Sequence, residues 1–153
     1  MARLCQNADM TQPPPLASLV GYRLKQAQAV LRARMDEALR PLGLTTAQYA
    51  TLELLSRNPG ASTSQLARDA FVTRQTMSTL LIGLEKRGVV ERTRGDAGGR
   101  ALPTLLTDKG EAMRAQAAEI ALGIERRMVE RLDESQAAAL HEALEQCIEA
   151  LEP

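Results

Sequence analysis

The sequence predicts a mainly α-helical protein with one small β-hairpin, an α+β arrangement in which helices dominate. Apolar residues recur every three or four positions along most of the chain, which is the spacing of amphipathic helices. The exception is residues 89–106, where two short aliphatic runs flank Gly95, Gly98 and Gly99. Glycines permit the positive φ angles of a hairpin tip, so this segment favours two strands and a turn. The chain has no Trp, two Tyr and one Phe, so its core is aliphatic, as in packed helices.

The N-terminal third predicts an extended arm and then two helices. Residues 1–15 are polar, end in three prolines and contain Cys5, which is typical of a disordered arm. Residues 16–39 have the apolar spacing of a long helix, which Pro41 and Gly43 end. Thr45 and Gln48 have the spacing of a capping box, which predicts a second helix from there to about residue 58.

Residues 62–88 predict two short helices joined by a tight turn. Ser62 and Gln65 have the spacing of a capping box, and Thr73 suits the N-cap of the next helix. That helix runs from Arg74 to about residue 87 and stops at Gly88. Followed by a hairpin, this is the outline of a winged helix-turn-helix, which places its second helix in the DNA major groove.

The second helix of this motif has one apolar side and one polar side. Met77, Leu80, Leu81 and Leu84 form the apolar stripe, and the opposite side is short and polar near the N-terminus, which suits hydrogen bonding to base edges. A solvated helix face is the alternative, although such faces usually carry more Glu and Lys. We expect Arg74, Gln75, Ser78 and Thr79 to read bases, the helix start at residues 62–64 and Lys86 to hold phosphates, and wing arginines to enter the minor groove. The full predicted DNA-binding set is Ser62, Thr63, Ser64, Thr73, Arg74, Gln75, Thr76, Ser78, Thr79, Lys86, Arg94 and Arg100.

The C-terminal third predicts two more helices. Thr107 suits the N-cap of a helix to about residue 132, and Asp133 with Gln136 predicts a capping box for the last helix. The apolar stripe of the last helix is narrow and has no further chain to cover it, so it needs a partner surface. We therefore predict a dimerisation domain from residues 16–44 and 107–153, and a winged helix-turn-helix domain from residues 45–106. The predicted dimer contacts are Leu16, Leu19, Val20, Leu140, Leu144, Ile148 and Leu151.

The charge is distributed unevenly although the net charge is zero. Residues 1–61 carry +3, residues 62–107 carry +3, and residues 108–153 carry −6. A basic centre beside an acidic end fits a DNA-binding module attached to a different domain. The zero net charge also leaves open a winged-helix module that binds protein instead of DNA. DNA binding through several phosphates would weaken steeply with salt, which separates the two.

The residue pattern argues against an enzyme. The single histidine, His141, has no neighbouring nucleophile for triad chemistry, and two distant cysteines with one histidine lack zinc spacing. The glycines near residue 98 lack the Lys-Ser/Thr of a phosphate loop. We expect no metal and no cofactor. No apolar run is long enough for a membrane span, and residues 1–10 lack a signal core, so we expect a cytoplasmic protein without membrane contact.

Four short motifs, taken in order, resemble the multiple-antibiotic-resistance regulator (MarR) family of bacterial transcription factors. They are Leu-Gly-Leu-Thr-Thr-Ala-Gln-Tyr at residues 42–49, Gln-Leu-Ala at 65–67, Leu-Glu-Lys-Arg-Gly-Val-Val-Glu-Arg at 84–92, and Leu-Thr-Asp-Lys-Gly at 106–110. The resemblance implies a homodimeric repressor on an inverted-repeat operator, released by a small aromatic or anionic effector. The family's wing usually carries an Asp-Arg-Arg tip, whereas the matching residues here are Gly98, Gly99 and Arg100.

An oxidation-controlled regulator is an alternative within the same class. Some members of the family sense oxidants with a cysteine at the start of the first helix, but Cys5 precedes the predicted helix by eleven residues. No cationic neighbourhood that would lower its thiol pKa is evident in the sequence. Peroxide treatment of the wild type and of Cys5→Ser, followed by DNA binding, distinguishes this alternative.

Overall fold

A computed structural model describes residues 13–92 and 103–152 of the chain. Over these residues it contains six α-helices, two 3-10 turns and one antiparallel pair of short strands. The 3-10 turns are Leu16–Ser18 and Arg40–Leu42. The main elements in chain order are α1 Val20–Leu39, α2 Thr46–Arg57, α3 Thr63–Asp69, α4 Arg74–Lys86, β1 Val90–Arg92, β2 Thr104–Leu106, α5 Asp108–Val129 and α6 Glu134–Glu149.

The first helix begins later than the apolar spacing predicts. The structure closes a tight 3-10 turn at Leu16–Ser18, in which the Ser18 hydroxyl donates to the Pro15 carbonyl at 2.7 Å. Leu19 is then extended, with φ −79° and ψ 126°, and α1 starts at Val20. The prediction of one helix from Leu16 is therefore wrong, because spacing alone does not distinguish an α-turn from a 3-10 turn. The predicted end at Leu39 is confirmed.

The core lies where α2, α3, α4 and the hairpin meet. Leu52, Leu66, Met77, Leu81 and Leu84 are fully buried there. In the hairpin Val90 lies opposite Leu106 and Arg92 lies opposite Thr104, so the predicted strand pair is confirmed. Its tip, residues 93–102, lies outside the described residues, together with the predicted wing residues Arg94 and Arg100.

The caps show which local contacts the sequence predicts correctly. The capping boxes of Thr45 with Gln48 and of Asp133 with Gln136 are both complete. At the start of α3, Ser62 Oγ accepts the Gln65 amide at 3.2 Å as predicted. The Gln65 side chain, however, donates to the Asp69 carboxylate at 2.9 Å instead of reaching back to Ser62. Asp69 offers a charged acceptor one turn later, and such a hydrogen bond is the stronger one.

The segments outside the helix-turn-helix and the hairpin leave large apolar side chains exposed in the single chain. Leu16, Val20, Ile148 and Leu151 are exposed, Leu151 to 86%. Leu19 and Leu140 are exposed as well, and Leu144 is half-buried. These are the seven residues predicted to contact a second copy. Among the helices described, none combines the length and apolar character needed to cross a bilayer.

Candidate nucleic-acid interface

The N-terminus of α4 is a well-formed helix start that projects polar side chains. Thr73 Oγ1 accepts the Thr76 amide at 3.1 Å, and the two threonine hydroxyls lie 2.9 Å apart. This cap satisfies one of the amides that a helix start leaves without a partner. Thr76 is exposed, but its hydroxyl is engaged with Thr73, which is a constraint that the sequence alone did not show.

The two sides of α4 differ as the sequence predicts. Met77, Leu81 and Leu84 are fully buried, whereas Arg74 and Gln75 are exposed. Within the described residues neither Arg74 nor Gln75 makes a side-chain hydrogen bond that would hold it away from a ligand. Such side chains are available donors and acceptors for base edges.

Further along α4 the polar side chains differ in their exposure and in their hydrogen bonds. Thr79 Oγ1 donates to the Gln75 backbone carbonyl at 3.1 Å, which uses its hydrogen but leaves its oxygen able to accept. Lys86 is exposed at the last turn, and Ser78 is half-buried on the flank. The half-burial of Ser78 makes it the least accessible of the four residues predicted to read bases.

The start of α3 is less exposed than the start of α4. Ser62, Thr63 and Ser64 are half-buried. Ser62 uses its hydroxyl oxygen to cap the Gln65 amide, so that amide is unavailable to a phosphate. Backbone amides of the first helical turn at Thr63 and Ser64 remain the predicted phosphate contacts.

A guanidinium group that the sequence prediction missed joins the end of α4 to the α1–α2 connection. Arg87 Nη1 donates to the Gly43 carbonyl at 2.7 Å, and Arg87 Nη2 donates to the Leu42 carbonyl at 3.0 Å. Lys109 Nζ donates in turn to the Arg87 carbonyl at 2.7 Å. Gly43 has a φ of +63°, so it also provides the left-handed turn that presents these carbonyls. The only sequence signal was the position of Arg87 at a helix end.

A second tie joins α2 to α5. Arg114 Nη1 lies 2.8 Å from Glu53 Oε1, and Arg114 Nη2 lies 2.6 Å from Glu111 Oε1. Hydrogen bonds from Arg114 lower the pKa of Glu111, and the two carboxylates raise the pKa of Arg114 above its usual range. Burial raises the pKa of Tyr49, and the Glu53 carboxylate adds to that rise. Arg114 and Glu111 are therefore both charged at neutral pH, and the contact of Arg114 with Glu53 links the two helices.

A third tie joins α1 to the start of α2. Asp36 Oδ1 accepts the Thr46 hydroxyl at 2.6 Å and the Thr46 amide at 2.7 Å. These hydrogen bonds lower the pKa of Asp36. Together with Arg87 and Arg114, this contact orients the helix-turn-helix relative to both α1 and α5.

Comparisons with known proteins agree with this arrangement. A model of the MarR family matches residues 42–101. The HTH-type transcriptional repressor Rv2887 of Mycobacterium tuberculosis is 40% identical over 126 residues, which cover 82% of this chain and 91% of the repressor. The sequence similarity to this repressor therefore extends well beyond residues 42–101 and covers most of the chain.

Solved structures show the same fold over most of the chain. The transcriptional repressor CouR bound to a 23-mer DNA duplex has a TM-score of 0.79 and 34% identity, over 87% of this chain and 94% of CouR. Rv2887 in complex with salicylic acid has a TM-score of 0.69 and 38% identity, over 85% of this chain and 96% of that one. The helix-turn-helix with its hairpin, the exposed polar side of α4 and the extent of these matches lead to one conclusion. The chain belongs to the MarR family of transcription regulators.

Proposed function

We propose that the protein is a homodimeric repressor that binds an inverted-repeat DNA operator and acts in the cytoplasm without catalytic activity. The observation that carries the proposal is the exposed polar side of α4, which stands on a fully buried apolar side. A helix packed in this way is oriented rigidly and can enter a major groove. The resemblance to a repressor solved on a DNA duplex supports the same function.

The residues of this surface suit distinct roles. Gln75 can pair its amide with the N6 and N7 positions of adenine, and Arg74 can pair with guanine. Thr79 and the less accessible Ser78 add single hydrogen bonds. Lys86 contacts phosphate, which gives affinity without sequence preference. Phosphate contacts at residues 62–64 and minor-groove contacts by Arg94 and Arg100 complete the proposed interface.

The proposed dimer forms through apolar side chains that the single chain leaves exposed. Leu16, Val20, Ile148 and Leu151 are exposed in or beside α1 and α6. Covering such side chains removes apolar area from water and favours association. We expect the two-fold dimer to hold its two α4 helices about 34–36 Å apart, one turn of the groove, which makes the operator an inverted repeat.

The test begins with selection of bound duplexes from a random pool. We expect a palindromic motif and a dimer in sedimentation. Gln75→Ala then lowers the preference for the selected duplex over mutated duplexes by about 1–3 kcal/mol. As the matched control, Lys86→Ala weakens binding to all duplexes alike and reduces the salt slope by about one unit. If Gln75→Ala loses the same affinity for selected and mutated duplexes, Gln75 does not read bases. If the protein is a monomer without sequence preference, the proposed function is refuted.

We also propose that a small anionic effector releases the DNA. A groove of about 680 Å³ lies between α1, α5 and α6, with mainly apolar walls, the arginines Arg23, Arg34 and Arg127, and the carboxylate of Glu130. An apolar groove with a few charged groups suits an amphiphilic anion, and Rv2887 has been solved with salicylic acid. A ligand that prefers the DNA-incompatible spacing shifts the population away from binding.

Salicylate serves as the probe for this effector site. We expect it to raise the unfolding midpoint of the wild type and to weaken operator binding, and Arg127→Gln to need higher concentrations for both effects. If salicylate binds but leaves operator affinity unchanged, the groove is not regulatory.

A further inference from the structure

Phe71 is the one phenylalanine of the chain, and it is 94% exposed. It lies in the turn between α3 and α4 with a φ of +55°, and among the described residues it is the only non-glycine with positive φ. A bulky residue in this region is a conformational outlier, and such outliers cluster at functional sites. An aromatic side chain that is both strained and surrounded by water therefore requires an explanation.

The turn itself is firmly held. The Phe71 amide donates to the Arg68 carbonyl at 3.1 Å, and the Val72 amide donates to the Ala67 carbonyl at 3.0 Å. Val72 packs against the core. Glycine adopts the same φ without strain and without exposing a ring. The backbone geometry thus needs no phenylalanine, and the side chain has no role in packing within the described residues.

The residues near Phe71 in the chain indicate which kind of partner its exposed ring would contact. Its Cα lies at most about 7.6 Å from that of Thr73, the N-cap of α4. The exposed Arg68 and Arg74 lie three residues to either side of it, with the half-buried Asp69 between, so its neighbours in the chain carry a net positive charge that favours a polyanion over an apolar protein surface. The major groove is about 12 Å wide, and the apolar group on its floor is the thymine C5-methyl.

We propose that Phe71 is a specificity-determining residue that packs against a thymine methyl group at the edge of each operator half-site. The proposal rests on the proposed operator binding and adds a contact that hydrogen-bonding residues cannot make. Thr73, Arg74 and Gln75 are likewise exposed and follow Phe71 within four residues. The backbone hydrogen bonds of the turn hold the main chain that carries the exposed ring.

The test uses the full-length protein and the duplex that the wild type selects. Each thymine is replaced by deoxyuridine in turn, which removes only the methyl group. We expect one position per half-site at which the wild type loses about fourfold in affinity, the effect of one buried methyl, and roughly fifteenfold when both half-sites are changed.

Two variants assign this dependence to the ring. Phe71→Asn, which tolerates positive φ, should lose the deoxyuridine effect at that position and bind the thymine duplex at least about tenfold more weakly. Phe71→Leu keeps an apolar side chain on the same backbone and should retain most of the effect. The unfolding midpoint of Phe71→Asn should equal or exceed that of the wild type, because strain is relieved.

The possible outcomes distinguish a failure of the Phe71 contact from a failure of the proposed operator binding. If the wild type selects a palindrome but shows no deoxyuridine effect that disappears in Phe71→Asn, the contact is refuted while operator binding stands. If Phe71→Asn fails to fold, Phe71→Gly takes its place on the same duplex series, because glycine accepts the positive φ and has no side chain to contact the methyl group. If the wild type selects no sequence, the proposed function fails and this contact fails with it.

Discussion

Replacing Arg87 by methionine should lower stability because it removes the tie between α4 and the α1–α2 connection. Two hydrogen bonds from the guanidinium, at 2.7 and 3.0 Å, are lost, and the carbonyls of Gly43 and Leu42 lose a charged donor. Hydrogen bonds to charged groups contribute about 1.5–3 kcal/mol each, but Arg87 is only half-buried, so water replaces part of the loss. Methionine keeps the packing of the aliphatic stem. We expect a loss of about 2 kcal/mol.

That loss corresponds to a fall of about 4–8 °C in unfolding temperature for a chain of this size. Urea unfolding at fixed protein concentration is the assay, since a dimer's stability depends on concentration. Arg87→Lys should recover less than half of the loss, because one ammonium group lacks the fork that holds two carbonyls.

Lys86→Met provides the matched control next to Arg87. Lys86 is exposed and makes no hydrogen bond within the described residues, so its removal should change stability by less than about 0.5 kcal/mol while weakening DNA binding. If Arg87→Met unfolds at the urea midpoint of the wild type, the tie does not stabilise the fold and the reasoning is refuted.

Two further predictions follow from packing and from pKa. Gly110→Ala should destabilise the protein by more than about 3 kcal/mol, because a Cβ there would lie 1.9 Å from the Val89 carbonyl oxygen. The control Gly83→Ala has open space around it and should stabilise α4 by about 0.5–1 kcal/mol. Equal midpoints of the two variants in chemical unfolding would contradict this prediction. Asp36→Asn should cost about 1 kcal/mol at pH 7, a figure already reduced for the partial exposure of the carboxylate. The pKa of Asp36 is lowered in the fold by Thr46, so its contribution is present above its ordinary value of 3.8 and is lost as pH falls through the folded pKa. Urea unfolding at pH 7 and pH 3 should show the difference narrow in acid, and a constant difference would refute it.

The candidate interface divides into residues that local pattern could assign and residues that it could not. Gln75, Thr79 and Lys86 lie on the exposed side of α4, as helical spacing predicted, because that side is set by the buried stripe of the same helix. Phe71 was predicted only as part of a turn. Its exposure and positive φ depend on how α3 and α4 pack, which no local pattern specifies.

By itself the sequence determined the helix caps, the apolar stripe of α4 and the order of helix, turn, helix and hairpin. These features depend on residues three or four positions apart, so their physical causes lie within one or two helical turns. Only the tertiary structure decided that Arg87 bonds to Gly43, which joins the end of α4 to the α1–α2 connection, and that Arg114 bonds to Glu53, which joins α5 to α2. Gly43 lies 44 residues from Arg87 along the chain, and Glu53 lies 61 residues from Arg114. Such pairs meet only once the core has brought distant helices together.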